Sequence, residues 1–217
     1  MRCIKVLSTK KLTQSQRKII ANTNIGLVAY NAISIEKLVL TNKFVIENAI
    51  VTSQHSARIL VKSEAQLKNV FCVGKKTASL LIENSYNVIE TAKNASGLAG
   101  IIIKNYKNDS FVFFCGDKRR EELPRILSEN KVDFTEQILY KTTLNSQRFK
   151  EEFDGVLFFS PSAVQSYTQV NSLKNAIAFC IGNTTANEAK KHTSNIVVST
   201  QTTIEATMDE LIRYFKG

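Results

Sequence analysis

Histidine is nearly absent from this chain of 217 residues, which carries only His55 and His192. With so few imidazoles, neither a zinc site nor a histidine-dependent triad is expected. Cysteine is sparse too, and Cys3, Cys72, Cys115 and Cys180 lie far apart without metal-ligand spacing. At least three of them fall inside apolar runs, as expected of small buried hydrophobes kept reduced. There is no Gly-x-Gly-x-x-Gly and no Gly-x4-Gly-Lys-Ser/Thr, so dinucleotide and P-loop chemistry lack their signatures. No stretch approaches the roughly 20 apolar residues of a membrane helix. Met1-Arg2-Cys3-Ile4-Lys5 has neither a secretory apolar region nor a small-residue cleavage site. A soluble, cytoplasmic protein without a membrane partner is therefore expected. No Pro/Gly/Ser-rich linker or low-complexity tract marks a domain boundary.

What the chain does have is an internal repeat. Thr52 stands 22 residues before Gly74, and Ser160 stands 22 before Gly182. Phe71-Cys72-Val73-Gly74-Lys75-Lys76-Thr77-Ala78 matches Phe179-Cys180-Ile181-Gly182-Asn183-Thr184-Thr185-Ala186 at the same offset, 108. A repeat this long implies two structural units rather than a solenoid. In each copy an apolar run ends in hydroxyl residues, a helical stretch follows, and a second apolar run ends in Gly-x-x-Thr-Ala. The first copy reads as strand 44–51, helix 55–62, strand 69–73, helix 76–84, strand 87–91 and helix 96–104. The second reads as strand 155–159, helix 163–170, strand 176–181, helix 184–192, strand 195–199 and helix 203–215. Runs such as Val156-Leu157-Phe158-Phe159 are apolar on both faces, the mark of buried parallel strands in an α/β fold. Glycine at the strand end allows a tight turn, and Ser or Thr there can cap the next helix.

Two strand–helix pairs lie outside the copies, at 3–7 with 14–21 and at 110–115 with 119–130. Residues 26–35 and 136–143 alternate loosely, carry one tyrosine each, and read as connections between lobes. Pro124 falls in the first turns of its helix, where its missing N–H is tolerated. A hydrophobic content of 43% is ample for a core in each unit.

The net charge of +10 is concentrated after strands, at Lys10-Lys11, Lys75-Lys76 and Lys118-Arg119-Arg120. In a parallel sheet those turns lie at the carboxyl ends of strands, where ligands bind and helix N-termini face anions. First turns ordinarily favour Asp and Glu. A polyanionic ligand accounts for the reversal.

The motifs also carry a resemblance. Phe159-Ser160-Pro161-Ser162-Ala163-Val164, Ile181 to Ala186, Val73 to Ala78, Cys115-Gly116-Asp117-Lys118-Arg119-Arg120-Glu121-Glu122-Leu123 and Leu139-Tyr140-Lys141-Thr142 resemble uroporphyrinogen-III synthases over nearly the whole chain. The first copy departs from the family habit, having Thr52-Ser53-Gln54-His55-Ser56-Ala57 where Ala-Val usually closes the hydroxyl turn. The resemblance implies an α/β fold of two similar parallel-sheet lobes joined by a two-stranded linker, with the substrate between them. One lobe is discontinuous, 1–30 plus 145–217; the inserted lobe is 34–137; the linker strands are about 26–35 and 136–144.

It further implies closure of hydroxymethylbilane, a linear octacarboxylate tetrapyrrole, to uroporphyrinogen III with inversion of ring D and loss of water. No cofactor and no metal are implied, and the partners would be the substrate and a transient hand-over from hydroxymethylbilane synthase to a monomer. Such an enzyme mainly holds its reactive substrate so that one closure outruns another. Thr52, Ser53, Lys75, Thr77 and Arg119 of one lobe, with Ser160, Ser162, Thr184 and Thr185 of the other, are the candidates for binding carboxylates. Tyr140 matches the tyrosine proposed in the family as proton donor to the departing hydroxyl; a phenol of ordinary pKa near 10 is protonated at neutral pH.

A non-catalytic bilobal module for a small polyanion would share these features but release its ligand unchanged. A nucleic-acid binder would want a continuous basic stripe with stacking aromatics. Here Phe113-Phe114 and Phe158-Phe159 lie inside core strands, so no nucleic-acid partner is expected.

Overall fold

The computed structural model describes residues 2–38 and 45–216. In chain order its elements are β1 (Ile4–Ser8), α1 (Gln14–Lys18), β2 (Ile25–Ala29), β3 (Ile33–Lys37), β4 (Val45–Val51), α2 (Gln54–Leu60), β5 (Gln66–Val73), α3 (Lys75–Glu83), β6 (Val88–Ala92) and α4 (Ala95–Asn105). Then come β7 (Ser110–Gly116), α5 (Glu122–Glu129), β8 (Asp133–Leu144), β9 (Gly155–Phe158), α6 (Pro161–Thr168), β10 (Ile177–Cys180), α7 (Asn183–Ala189), β11 (Ile196–Val198) and α8 (Ile204–Lys216). They form two compact units, a discontinuous one of Met1–Ser34 with Thr143–Gly217 and a continuous one of Ile35–Thr142.

Each unit is built on its own sheet. In the discontinuous unit the order is β11-β10-β9-β1-β2, parallel throughout. In the continuous unit it is β6-β5-β4-β7-β8-β3, with β6 through β8 parallel. The repeat thus supplies β4, β5, β6 and β9, β10, β11, while β7 and β1, the strands outside it, each complete a sheet beside the first strand of a copy.

The apolar runs become central strands because both of their faces are covered. In β9, Val156 and Phe158 join Leu7, Val164, Tyr167 and Ala186 on one face, while Leu157 joins Val6, Phe179, Met208 and Leu211 on the other. The continuous unit repeats this alternation, with Val51, Cys72 and Leu81 on one face and Ile50, Phe71, Phe113, Leu98 and Leu127 on the other. Phe71, Phe113, Phe158 and Phe179 are all but fully buried, each contributing about 1.5–3 kcal/mol.

Several local expectations shift. Phe44, expected to open the first strand of the repeat, lies outside the described residues. Residues 26–35 are two strands rather than one alternating segment, and β2 and β3 belong to different sheets. Residues 136–143 lie inside the twelve-residue β8, whose pairing with β7 starts at Asp133. Helix α1 stops at Lys18 because it buries no side chain, and so short a helix gains little without packing. Helix α5 starts at Glu122, not at Arg119, since residues 117–121 are held in a turn by Asp117 N–H donating to the Tyr140 carbonyl and Arg119 N–H to that of Gly116. The two motif glycines serve different ends. Gly74 has φ +88°, which favours glycine, whereas Gly182 is extended at φ 179°. At Gly182 space decides: a Cβ would meet the Thr202 methyl at 3.0 Å.

Candidate active site

At the carboxyl ends of β4, β5 and β7 the continuous unit opens a cavity of about 440 Å³. Thr52, Ser53, Arg119 and Tyr140 line it, so four of the residues singled out from sequence come together. Lys75 and Thr77 are not among its lining residues. Lys75 is exposed, and Thr77 is only 4% exposed, tucked inside the first turn of α3. In the discontinuous unit Ser160 and Ser162 stand at the start of α6 and Thr184 and Thr185 at the start of α7, after the neighbouring strands β9 and β10. Ser160 and Ser162 are half-buried and Thr184 exposed, while Thr185 is as deeply buried as its repeat partner Thr77.

The hydroxyl turns act first as helix caps. Ser53 accepts from Ser56 N–H at 3.0 Å, and Ser160 from Ala163 N–H at 3.2 Å. Each satisfies an N–H that the first turn leaves open, worth about 1 kcal/mol. At Gly74 and Gly182 no side chain caps the helix.

Tyr140 lines the cavity between two elements of its wall, Ser53 and Gly116. Its ring meets the His55 ring edge-to-face at 4.6 Å. Burial raises the phenol pKa, a hydrogen bond with Ser53 opposes that, the Cys115 and Asp117 charges raise it further, and Ser56 lowers it slightly. The net direction is upward, so the phenol holds its proton at neutral pH. The neighbouring Cys115 thiol is pushed up to about 11, chiefly by burial and then by Glu136, against the pull of Arg119. It is an inert thiol rather than a nucleophile.

Arg119 is committed within its own unit. Its Nε and Nη2 donate to the two oxygens of Glu136, each at 2.6 Å, and Nη1 reaches Glu121 at 2.6 Å. The fork on Glu136 raises its pKa above the usual arginine range, and burial of the guanidinium opposes this only in part. Lys93 and Lys118 also line the cavity, without a carboxylate partner among the described residues. Sequence reasoning counted Lys118 in a basic cluster and missed Lys93. The available signal was Asn94, which follows the β6 strand end and caps α4 by accepting from Gly97 N–H at 2.8 Å. Ser56 and Gly116 were missed as well. Among the described residues no group of three or more His, Cys, Asp or Glu could hold a metal ion, and no helix is long and apolar enough to cross a membrane.

The chain is similar to known proteins in sequence and in fold. A sequence model described as uroporphyrinogen-III synthase HemD matches residues 31–209. The chain is 28% identical over 179 residues to the porphyrin biosynthesis protein HemD of Ruminiclostridium josui, covering 74% of this chain and 34% of that protein. It is 28% identical over 165 residues to the uroporphyrinogen-III synthase of Saccharomyces cerevisiae, covering 63% of this chain and 58% of that one. The chain therefore spans about a third and somewhat over half of these curated relatives. The crystal structure of uroporphyrinogen-III synthetase from Helicobacter pylori superposes with a TM-score of 0.69 at 15% identity, covering 97% of this chain and 99% of that one. With most of its length matched by the family's sequence pattern and its two sheets by the family's fold, the chain belongs to the uroporphyrinogen-III synthase family.

Proposed function

We propose that this protein is a lyase that cyclises hydroxymethylbilane to uroporphyrinogen III, with inversion of ring D and release of water, in the cytoplasm. The observation that carries the reading is a half-buried phenol, Tyr140, hydrogen-bonded to Ser53 and lining a cavity whose wall also bears Lys93, Lys118, Arg119 and Arg120. Departure of the terminal hydroxyl as water takes one proton, which Tyr140 donates as the carbon–oxygen bond breaks. The resulting azafulvene cation is attacked by the substituted carbon of ring D to give a spiro intermediate. Fragmentation and re-closure then turn the ring over, and the proton lost as the last pyrrole regains aromaticity restores the phenol. Atoms and charge balance without any external oxidant or reductant.

The hydroxyls and cations hold the carboxylates. Single contacts of this kind contribute roughly 0.3–2 kcal/mol, whereas micromolar affinity needs about 8 kcal/mol. Thr52, Ser53 and Lys75 of the continuous unit, and Ser160, Ser162 and Thr184 of the discontinuous unit, are the groups proposed for that role. Thr77 and Thr185, being buried, act through helix packing, and Arg119 by shaping the turn that bears Lys118. The test is isomer analysis: fresh hydroxymethylbilane is mixed with the protein, the product is oxidised, and uroporphyrins I and III are separated. Predominance of isomer III, abolished by heating the protein, supports the reading. Isomer I alone, at the spontaneous rate, overturns it in favour of a non-catalytic anion-binding module.

A further inference from the structure

Gly116 is a buried glycine whose backbone does not require glycine, because its φ lies outside the left-handed region that Gly74 occupies. What excludes a side chain is Tyr140. A Cβ at Gly116 would lie 2.4 Å from Cε2 and Cζ of the Tyr140 ring and 2.7 Å from its hydroxyl oxygen, well inside van der Waals contact. The pairing of β7 with β8 is irregular at this point. Cys115 faces Ile138, but Gly116 faces Tyr140, so one residue is skipped and the ring arrives over the bare Cα. The backbone is pinned on both sides. Asp117 N–H donates to the Tyr140 carbonyl at 3.1 Å, and Asp117 Oδ1 accepts from Thr142 N–H at 2.8 Å. With the His55 ring also packed against the phenol, a methyl group at Gly116 can be accommodated only by swinging the ring away.

We infer that Gly116 is the positioning residue for Tyr140: its missing side chain, with the Asp117 clamp, forms the seat that fixes where the phenol presents its hydroxyl. This rests on the proposed role of Tyr140 and adds the element that aims it. A displacement of about 1 Å can reduce turnover about 100-fold, and a seat built on Cα leaves no slack.

The test is Gly116→Ala, read in two independent ways. With ring-labelled tyrosine, assigned through Tyr140→Phe, the Tyr140 resonance is followed through a pH titration. In Gly116→Ala the phenol is expected to titrate lower, nearer the ordinary tyrosine value, as the ring leaves its seat. Formation of isomer III is expected to lose about 100-fold in kcat with KM little changed, and Gly116→Ala/Tyr140→Phe should be no slower than Tyr140→Phe. An unshifted titration in folded Gly116→Ala overturns the inference, as does a double variant slower than Tyr140→Phe by the full extra factor. Wild-type turnover by Tyr140→Phe removes the catalytic reading alone, since the titration still judges the seat. Should Gly116→Ala not fold, the same change is made in Tyr140→Ala. Folding there assigns the clash to the ring, and failure there overturns the seat.

Discussion

Two tyrosines accompany the strands that hold the same place in the two sheets, Tyr30 just after β2 and Tyr140 within β8, and their surroundings separate them. Tyr30 is 7% exposed, its ring meets Phe149 at 5.1 Å, and its hydroxyl has no hydrogen-bond partner among the described residues. Burial, aided by the nearby Tyr167, pushes its pKa to about 12. Tyr140 is half-buried, faces the Ser53 and Ser56 hydroxyls and opens on a cavity. Position along the strand does not separate them, since Tyr140 faces Gly116, the last residue of β7, and Tyr30 follows Ala29, which faces Ser8, the last residue of β1. The difference lies in what packs there: Phe149, Phe153 and Tyr167 share the core with Tyr30, whereas a cavity opens beside Tyr140. A tyrosine at the ligand end of a strand is core material unless its neighbours leave that end open.

The contrast breaks most sharply under mutation. Tyr140→Phe is expected to lower isomer III turnover by about 10 to 10⁴-fold without moving the melting temperature, while Tyr30→Phe leaves turnover unchanged. Equal losses in the two variants would erase the distinction. Alkali provides the next separation. Tyr30 rises from 10.0 to about 12 and Cys180 from 9.0 to about 12. The unfolded chain therefore releases these protons first, and the stability they confer is complete below pH 9 and lost as pH rises towards 12. Urea midpoints measured from about pH 8 to pH 11 should fall, and Cys180→Ala should flatten the fall. Serine caps sharpen the comparison on a smaller scale. Ser53→Ala and Ser160→Ala should each cost about 1 kcal/mol in urea unfolding, but only Ser53→Ala should raise the Tyr140 titration further, because Ser53 also bonds the phenol. An effect of similar size but opposite sign closes the series: removing the Tyr30 hydroxyl, which has no partner among the described residues, in Tyr30→Phe should stabilise the protein by about 1 kcal/mol.

Much of the fold was legible in the sequence, because a repeat marks the same run of elements twice. The offset that superposes Gly74 on Gly182 also superposes α3 on α7, and the apolar runs that lead into the two glycines are the inner strands β5 and β10. Thr52, Ser53, Arg119 and Tyr140 were visible as motif residues beside strand ends. The seat of Tyr140 on Gly116 was not, because it depends on a skipped residue in the pairing of two strands, and no local pattern encodes a pairing irregularity. Nor was the engagement of Arg119 by Glu136, 17 positions away. The burial of Thr77 and Thr185 was hidden for the opposite reason: a motif position shows that a residue type matters and leaves open whether it faces solvent or core.

The hydrogen bond from Asn145 N–H to the Ala32 carbonyl, at 2.8 Å, and that from the Asn145 amide to the Asn31 carbonyl, also 2.8 Å, place the exit and re-entry points of the discontinuous unit side by side. For that unit, everything from Ile35 to Thr142 is a detour between neighbours, which a turn of about two residues could close. Chain continuity and spatial continuity thus part company at this point: the backbone leaves the discontinuous unit and returns to it within reach of one side-chain amide.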